Sequence, residues 1–397
     1  MTPPHCSRIS SPLGDRRSRD SRLRARANQR GPPLASGREI PSLDGLRAVS
    51  IGLVIGSHCI SGLAGRFNGF PSMEIGLLGQ HGVDVFFVIS GFLITYLLLK
   101  EFDRAGTISL KRFYLRRFFR IFPAFYVFLA VVGLLWRGGV VSFNLRSYVT
   151  AATYTYNYSR LASGWALGHC WSLSLEEQFY LLWPPCLALL GRKKSSYLAF
   201  GIIALSPVSR GVSYFVAPAF RGSEGIMLHT RLDTIMFGCL IALLWEDPAF
   251  NRFLDRVLRP GLVAFSAFFF LVVSPIAEAH FWAKYTWPVG YTLRGVCVSA
   301  VLIYAIRSPA SGLGRILNGR AIRHIGVISY SLYLWQQLFT GPLTFWFPLN
   351  LLLLLGCAEA SYFLVERPTL RLRDTIESKL RMTSKQSGLV TQHSESA

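Results

Sequence analysis

The chain has 397 residues, which at roughly 150 residues each would make two or three soluble domains. Composition excludes that reading: 16% of residues are charged against about 25% in a typical soluble domain, 51% are hydrophobic and 14% aromatic. The net charge of +21 suggests a nucleic-acid partner, but 32 of the 42 Lys and Arg lie in six clusters separated by apolar stretches, not on one folded face. The expected class is therefore an all-α, polytopic membrane protein that binds no nucleic acid.

In chain order, residues 1–38 come first, with nine Arg, two Asp and no apolar run. They are expected to form a disordered basic cytosolic tail that fixes orientation, although the Arg- and Ser-rich composition also faintly resembles a transit peptide. The membrane domain is expected over 39–370, with a polar cytosolic tail over 371–397. Ten helical spans, each near the roughly 20 residues a bilayer core requires, are predicted at 43–62, 83–99, 121–136, 171–190, 196–216, 232–246, 261–277, 288–306, 325–343 and 345–365. With both termini cytoplasmic, every basic cluster falls on the inner side, as the positive-inside rule requires. The seven cysteines are scattered and form no C-x-x-C pair, so neither a disulfide nor a metal site is expected.

Ionisable residues inside spans are costly in lipid and mark candidate sites. In the first span, Arg47 and His58 are eleven residues apart, about three turns or roughly 16 Å, and share a face. Asp84 opens the second predicted span, as a dipole-complementing carboxylate or a functional one. Ser90 and Gly91 behind it suit close helix packing. Arg116, Arg117 and Arg120, before the third span, place guanidinium forks on one helical face, suited to phosphate oxygens or to anionic lipid. The segment from His169 to Pro184 is the most loaded. Ser172, Glu176 and Tyr180 form an i, i+4, i+8 line, with Glu177 about 100° away and Gln178 beside it. Arg231 and Asp233 begin the sixth span, where they read as an outer-face ion pair or an acceptor contact. Glu366-Arg367-Pro368 reads as a helix stop.

The order of these motifs resembles the acyltransferase-3 family of integral membrane acyltransferases. The residues that carry the likeness are Leu43-Asp44-Gly45-Leu46-Arg47 with His58, Phe86 to Phe92, Arg116-Arg117-x-x-Arg120-Ile121-x-Pro123 and Trp171-Ser172-Leu173-Ser174-Leu175-Glu176-x-Gln178-Phe179-Tyr180. Arg231-x-Asp233, Ser329 to Trp335 and Glu366-Arg367-Pro368 complete the series. The resemblance implies a bacterial cytoplasmic membrane enzyme with no permanently bound cofactor. It implies transfer of an acyl group, usually acetyl, from cytosolic acyl-CoA to a hydroxyl of a carbohydrate or glycoconjugate.

In that frame His58 is the catalytic histidine, helped by Glu176 as orienting or sugar-binding carboxylate. Arg47, Arg116, Arg117 and Arg120 contact acyl-CoA, and Ser172, Gln178, Tyr180, Arg231 and Asp233 bind substrate. Two departures stand out. Gln336 stands where many members carry histidine, which puts a catalytic role for that position in doubt, because glutamine cannot carry a proton at neutral pH. No hydrolase-like extracellular domain is seen in the sequence, so direct transfer to the acceptor is the simpler expectation. Intramembrane His, Arg and Glu suit a proton-coupled glycan or lipid carrier as well. The lack of an internal repeat and the position of the arginine forks favour the enzyme.

Overall fold

The computed structural model describes residues 40–63, 72–160, 162–341 and 346–378. The expected tail over 1–38 lies outside the described residues. Of the expected tail over 371–397, only 371–378 is described, and it continues a helix.

No strand occurs among the described residues. The early helices are α1 (Pro41–Leu63), α2 (Ser72–Ala105) and α3 (Leu110–Arg137), followed by the short α4 (Leu145–Ala152). Next come α5 (Cys170–Val216), α6 (Leu228–Leu244), α7 (Pro248–Val257), α8 (Pro260–Phe268) and α9 (Ser274–Phe281). The last are α10 (Tyr291–Arg307), α11 (Gly312–Leu317), α12 (Arg320–Val327), α13 (Ser329–Phe339) and α14 (Leu349–Ser361). Apolar run length makes the long helices, and side chains set several starts. Ser109 accepts from the Arg112 amide, Asn144 from Ser147 and Asp247 from Phe250, each satisfying a donor that a helix N-terminus leaves open.

Among the described residues, seven helices are long and apolar enough to cross a bilayer, or eight if the bent pair α6 and α7 counts as one. The difference between eight and ten has two sources. Two expected spans, 171–190 and 196–216, are both present but are counted as one, because the two helices that make up α5 meet at a kink without a loop at Gly191 (φ 69°, ψ 177°), a conformation open to glycine. The expected span 325–343 is broken at Ile328 into α12 and α13, both too short to cross alone.

Two more expectations change. Asp84 does not start a helix: α2 begins at Ser72 and carries Asp84 into the protein interior. Nor does the chain stop at Glu366-Arg367-Pro368. A π-helical turn over Tyr362–Glu366 carries α14 on to Ser378. Pro368, which lacks an amide hydrogen, falls in the first turn beyond that register change, where it does least harm.

Helix α2 is the axis of the bundle, packed along α1 on one side and α6 on the other. The α2–α6 approach is so close that a Cβ on Gly91 would overlap the Ile235 carbonyl oxygen, and one on Gly238 the Val88 carbonyl oxygen. In lipid, where apolar surface gives helices little reason to associate, such backbone proximity is a main source of attraction. Phe87, Phe125, Phe128, Leu175 and Phe179, all buried, fill the core between α2, α3 and α5.

Candidate functional site

Three neighbouring cavities, the second sharing wall residues with each of the others, lie within the bundle. The first, about 400 Å³, is walled by Arg47, Arg116, Arg117, Arg120 and Arg373, with Asp44, Glu101 and Glu366 at its margin. Helix α1 supplies Arg47, α3 supplies Arg116, Arg117 and Arg120, whose i, i+4 and i, i+3 spacing puts them on one face, and the continuation of α14 supplies Arg373. Arg47 Nη1 lies 3.3 Å from Asp44 Oδ1, and Arg116 Nε donates to Glu377 Oε1 at 2.7 Å.

Arg47, Arg117 and Arg120 also line the second cavity, about 90 Å³, with Glu176, Glu177, Tyr180, Ser172, Ser90 and Tyr333. Arg117 lies over the Tyr180 ring, 5.1 Å from its centroid. Tyr180 and Ser90 hydroxyls are 2.6 Å apart, and those of Ser172 and Tyr333 are 2.5 Å apart. Glu177, one residue from the expected polar line, faces the same cavity as Glu176, because the cavity wraps two sides of α5.

The third cavity, about 360 Å³, shares Val83 and Tyr333 with the second and contains His58 and His169. The connection between α3 and α5 roofs it through Gly164, Trp165 and Gly168, with the Trp165 ring edge-on to His58 at 5.1 Å. His58 Nδ1 meets Gln336 Oε1 at 2.7 Å.

The sequence-predicted residues therefore divide. Arg47, Arg116, Arg117, Arg120, Ser172, Glu176 and Tyr180 line the first two cavities, and His58 the third. Glu176 does not hold the imidazole of His58: it lines the second cavity and not the third, and the His58 Nδ1 meets an amide from α13. Gln178 turns away, pairing with Asn157 and with the Tyr154 carbonyl. Arg231 and Asp233 do not pair with each other and line none of the three cavities. Arg231 pairs with Asp84, and Asp233 with Arg210 at 2.9 Å. Both join a fully buried cluster in which Arg294 bridges Asp84 (2.9 Å) and Glu278 (2.5 Å), with the Tyr291 ring beneath three guanidiniums. Successive positions one apart on a helix point to different neighbours, and two apart more so, which is why the pair separates.

Sequence reasoning missed Gln336 and Gln337 as imidazole partners and Tyr333 as the wall between two cavities. Two adjacent amides inside an apolar run were the available signal. Among the described residues, no group of three or more His, Cys, Asp or Glu is placed to hold a metal ion.

Residues 40–364 match the acyltransferase-3 family, described as an acyltransferase domain. The chain belongs to the acyltransferase-3 family. All three cavities fall within this acyltransferase-3 region apart from Glu366, Leu370 and Arg373 of the first. With its apolar helices, membership makes the chain a multi-pass membrane protein. The chain is 32% identical over 325 residues to a protein of Staphylococcus aureus (strain COL) provisionally named an O-acetyltransferase, covering 75% of this chain and 50% of that protein. It is 29% identical over 335 residues to the peptidoglycan O-acetyltransferase OatA of Listeria monocytogenes, covering 76% and 49%. The O-acetyltransferase OatA of Staphylococcus aureus (strain NCTC 8325) is 30% identical over 328 residues, covering 76% and 51%. The chain spans about half the length of the curated relatives it matches. No solved structure matches it.

Proposed function

We infer that this chain transfers an acetyl group from cytosolic acetyl-CoA to a hydroxyl of a glycan, in the bacterial cytoplasmic membrane with both termini inside. The observation that carries the reading is the series of three cavities, arginine-lined at one end and histidine-lined at the other, joined by shared wall residues. Acyl-CoA has the matching shape: polyanionic at one end, a thin pantetheine arm, a thioester at the tip. The forks of Arg116, Arg117 and Arg120 suit the phosphates, since each can bind two oxygens in a plane. The narrow second cavity suits the arm, and its length fits the roughly 16 Å between Arg47 and His58 on α1.

At the thioester, His58 Nε2 accepts the proton of the acceptor hydroxyl as its oxygen attacks the carbonyl carbon. The C–S bond then breaks, and the coenzyme A thiolate takes that proton back from the imidazolium. With the Gln336 oxygen accepting from Nδ1–H, the ring presents an unprotonated Nε2 for this role. The glycan acceptor is supported by the printed activity of the Listeria relative, a peptidoglycan O-acetyltransferase.

The test is acetyl transfer by purified protein in nanodiscs, with labelled acetyl-CoA and glycan fragments as acceptor. General-base catalysis contributes on the order of 10²–10⁴-fold, so His58→Gln should lose about that much rate while still binding acetyl-CoA. Transfer by His58→Gln within about twofold of the parent would remove His58 from the chemistry.

A further inference from the structure

His169 sits in the same cavity as His58 and is held more firmly. Only 3% of it is exposed, and the rings of Phe128 and Tyr333 flank it edge-on at 5.4 and 5.5 Å. Gln337 Oε1 receives two contacts from this one residue: the His169 backbone nitrogen at 3.0 Å and Nδ1 at 2.7 Å. A backbone N–H can only donate, so the Gln337 atom facing it must be the amide oxygen. That oxygen can only accept, so Nδ1 must carry a hydrogen. The neutral ring is left with its lone pair on Nε2, and this atom is buried with no hydrogen-bond partner among the described residues. A buried acceptor without a partner is unfavourable, which is reason to look for what meets it.

We propose that His169 is an acceptor-binding residue: its Nε2 receives a hydrogen bond from one hydroxyl of the acceptor and so sets a neighbouring hydroxyl against His58. The inference rests on the transfer reading given for His58, and it narrows the substrate class to polyols, in which two hydroxyls lie close enough to reach both imidazoles. Gln337 is the positioning residue, because it fixes which nitrogen of His169 is free. The consecutive amides Gln336 and Gln337 on α13 thus present two imidazoles to one chamber, one to take a proton and one to hold the molecule that gives it.

Two measurements test this. Solid-state NMR of protein carrying [15N]histidine in lipid reads the tautomer without any acceptor, the His169 signal being assigned from its loss in His169→Gln. An unprotonated Nε2 and protonated Nδ1 is expected, with the preference lost in Gln337→Leu; a protonated Nε2 overturns the proposal. The second measurement compares chitotetraose, a polyol, with ethanol, which has a single hydroxyl, as acceptors of labelled acetyl-CoA. His169→Phe should lower kcat/KM for chitotetraose about tenfold more than it lowers kcat/KM for ethanol, the difference being one lost hydrogen bond. His169→Gln, which keeps an acceptor oxygen, should recover part of that loss. Equal losses with both acceptors, or none with either, overturn the assignment. If the parent acetylates neither alcohol, the transfer reading itself is lost, while the NMR signal still decides the state of His169.

Discussion

His58 shows what a single residue announces in a sequence and what it conceals. An imidazole in an apolar run is expensive enough to be noticed, and Arg47 eleven residues earlier pointed to its face. Its partner Gln336 lies 278 residues away, and no local spacing rule spans that separation. Arg117 was legible for the opposite reason, since its company was local. Its guanidinium stands between the first two cavities and over the Tyr180 ring, a place for a flat fork. Arg117→Ala should weaken acetyl-CoA binding at least tenfold in equilibrium binding to detergent-solubilised protein. Arg117→Lys should fall between Ala and the parent, because it keeps the charge but loses the planar stack and the second donor. Full affinity in the Lys protein would mean that charge alone acts there.

At the scale of elements, run length identified the helices and the small residues Ser90 and Gly91 marked a packing surface. Gly91 was readable as a packing residue; its counterpart Gly238 was not, because only the fold reveals which helix lies opposite. Breaks were least legible. At Ile328 a helix is divided inside an apolar run where continuity was expected; at Gly191, where Arg192, Lys193 and Lys194 mark the boundary in the sequence, only the absence of a loop was not legible. Gly91→Ala and Gly238→Ala should each force α2 and α6 apart, lowering stability by about 1–3 kcal/mol, as overpacking does. Gly201→Ala, whose Cβ would meet nothing within 4 Å, is the control and should stay within about 0.5 kcal/mol. Thermal unfolding in detergent distinguishes the three, and equal shifts in all would remove the case for close approach.

For the whole molecule, the placement of basic clusters predicts sidedness. Ser142, exposed in the connection between α3 and α4, should face outward, and exposed Lys193, beside the Gly191 break, should face the cytosol. An impermeant thiol reagent should reach Ser142→Cys in intact cells and Lys193→Cys only after permeabilisation; labelling of both from one side would refute the map. Sequence supplied the charges for this argument, but not the pairing of those inside the protein. Arg210, Arg231 and Arg294 are matched there by Asp84, Asp233 and Glu278. With His81 uncharged, the cluster sums to zero, and this has an electrical consequence. A membrane potential exerts no net force on a neutral group of charges, so the bundle's central helices can sit in an energised membrane without being pulled along the field. Asp84→Asn leaves one positive charge there, and a charge crossing the full field is worth about 2.3 kcal/mol per 100 mV. Thermal inactivation in proteoliposomes should then depend on an imposed potassium diffusion potential in the variant, and not in the parent.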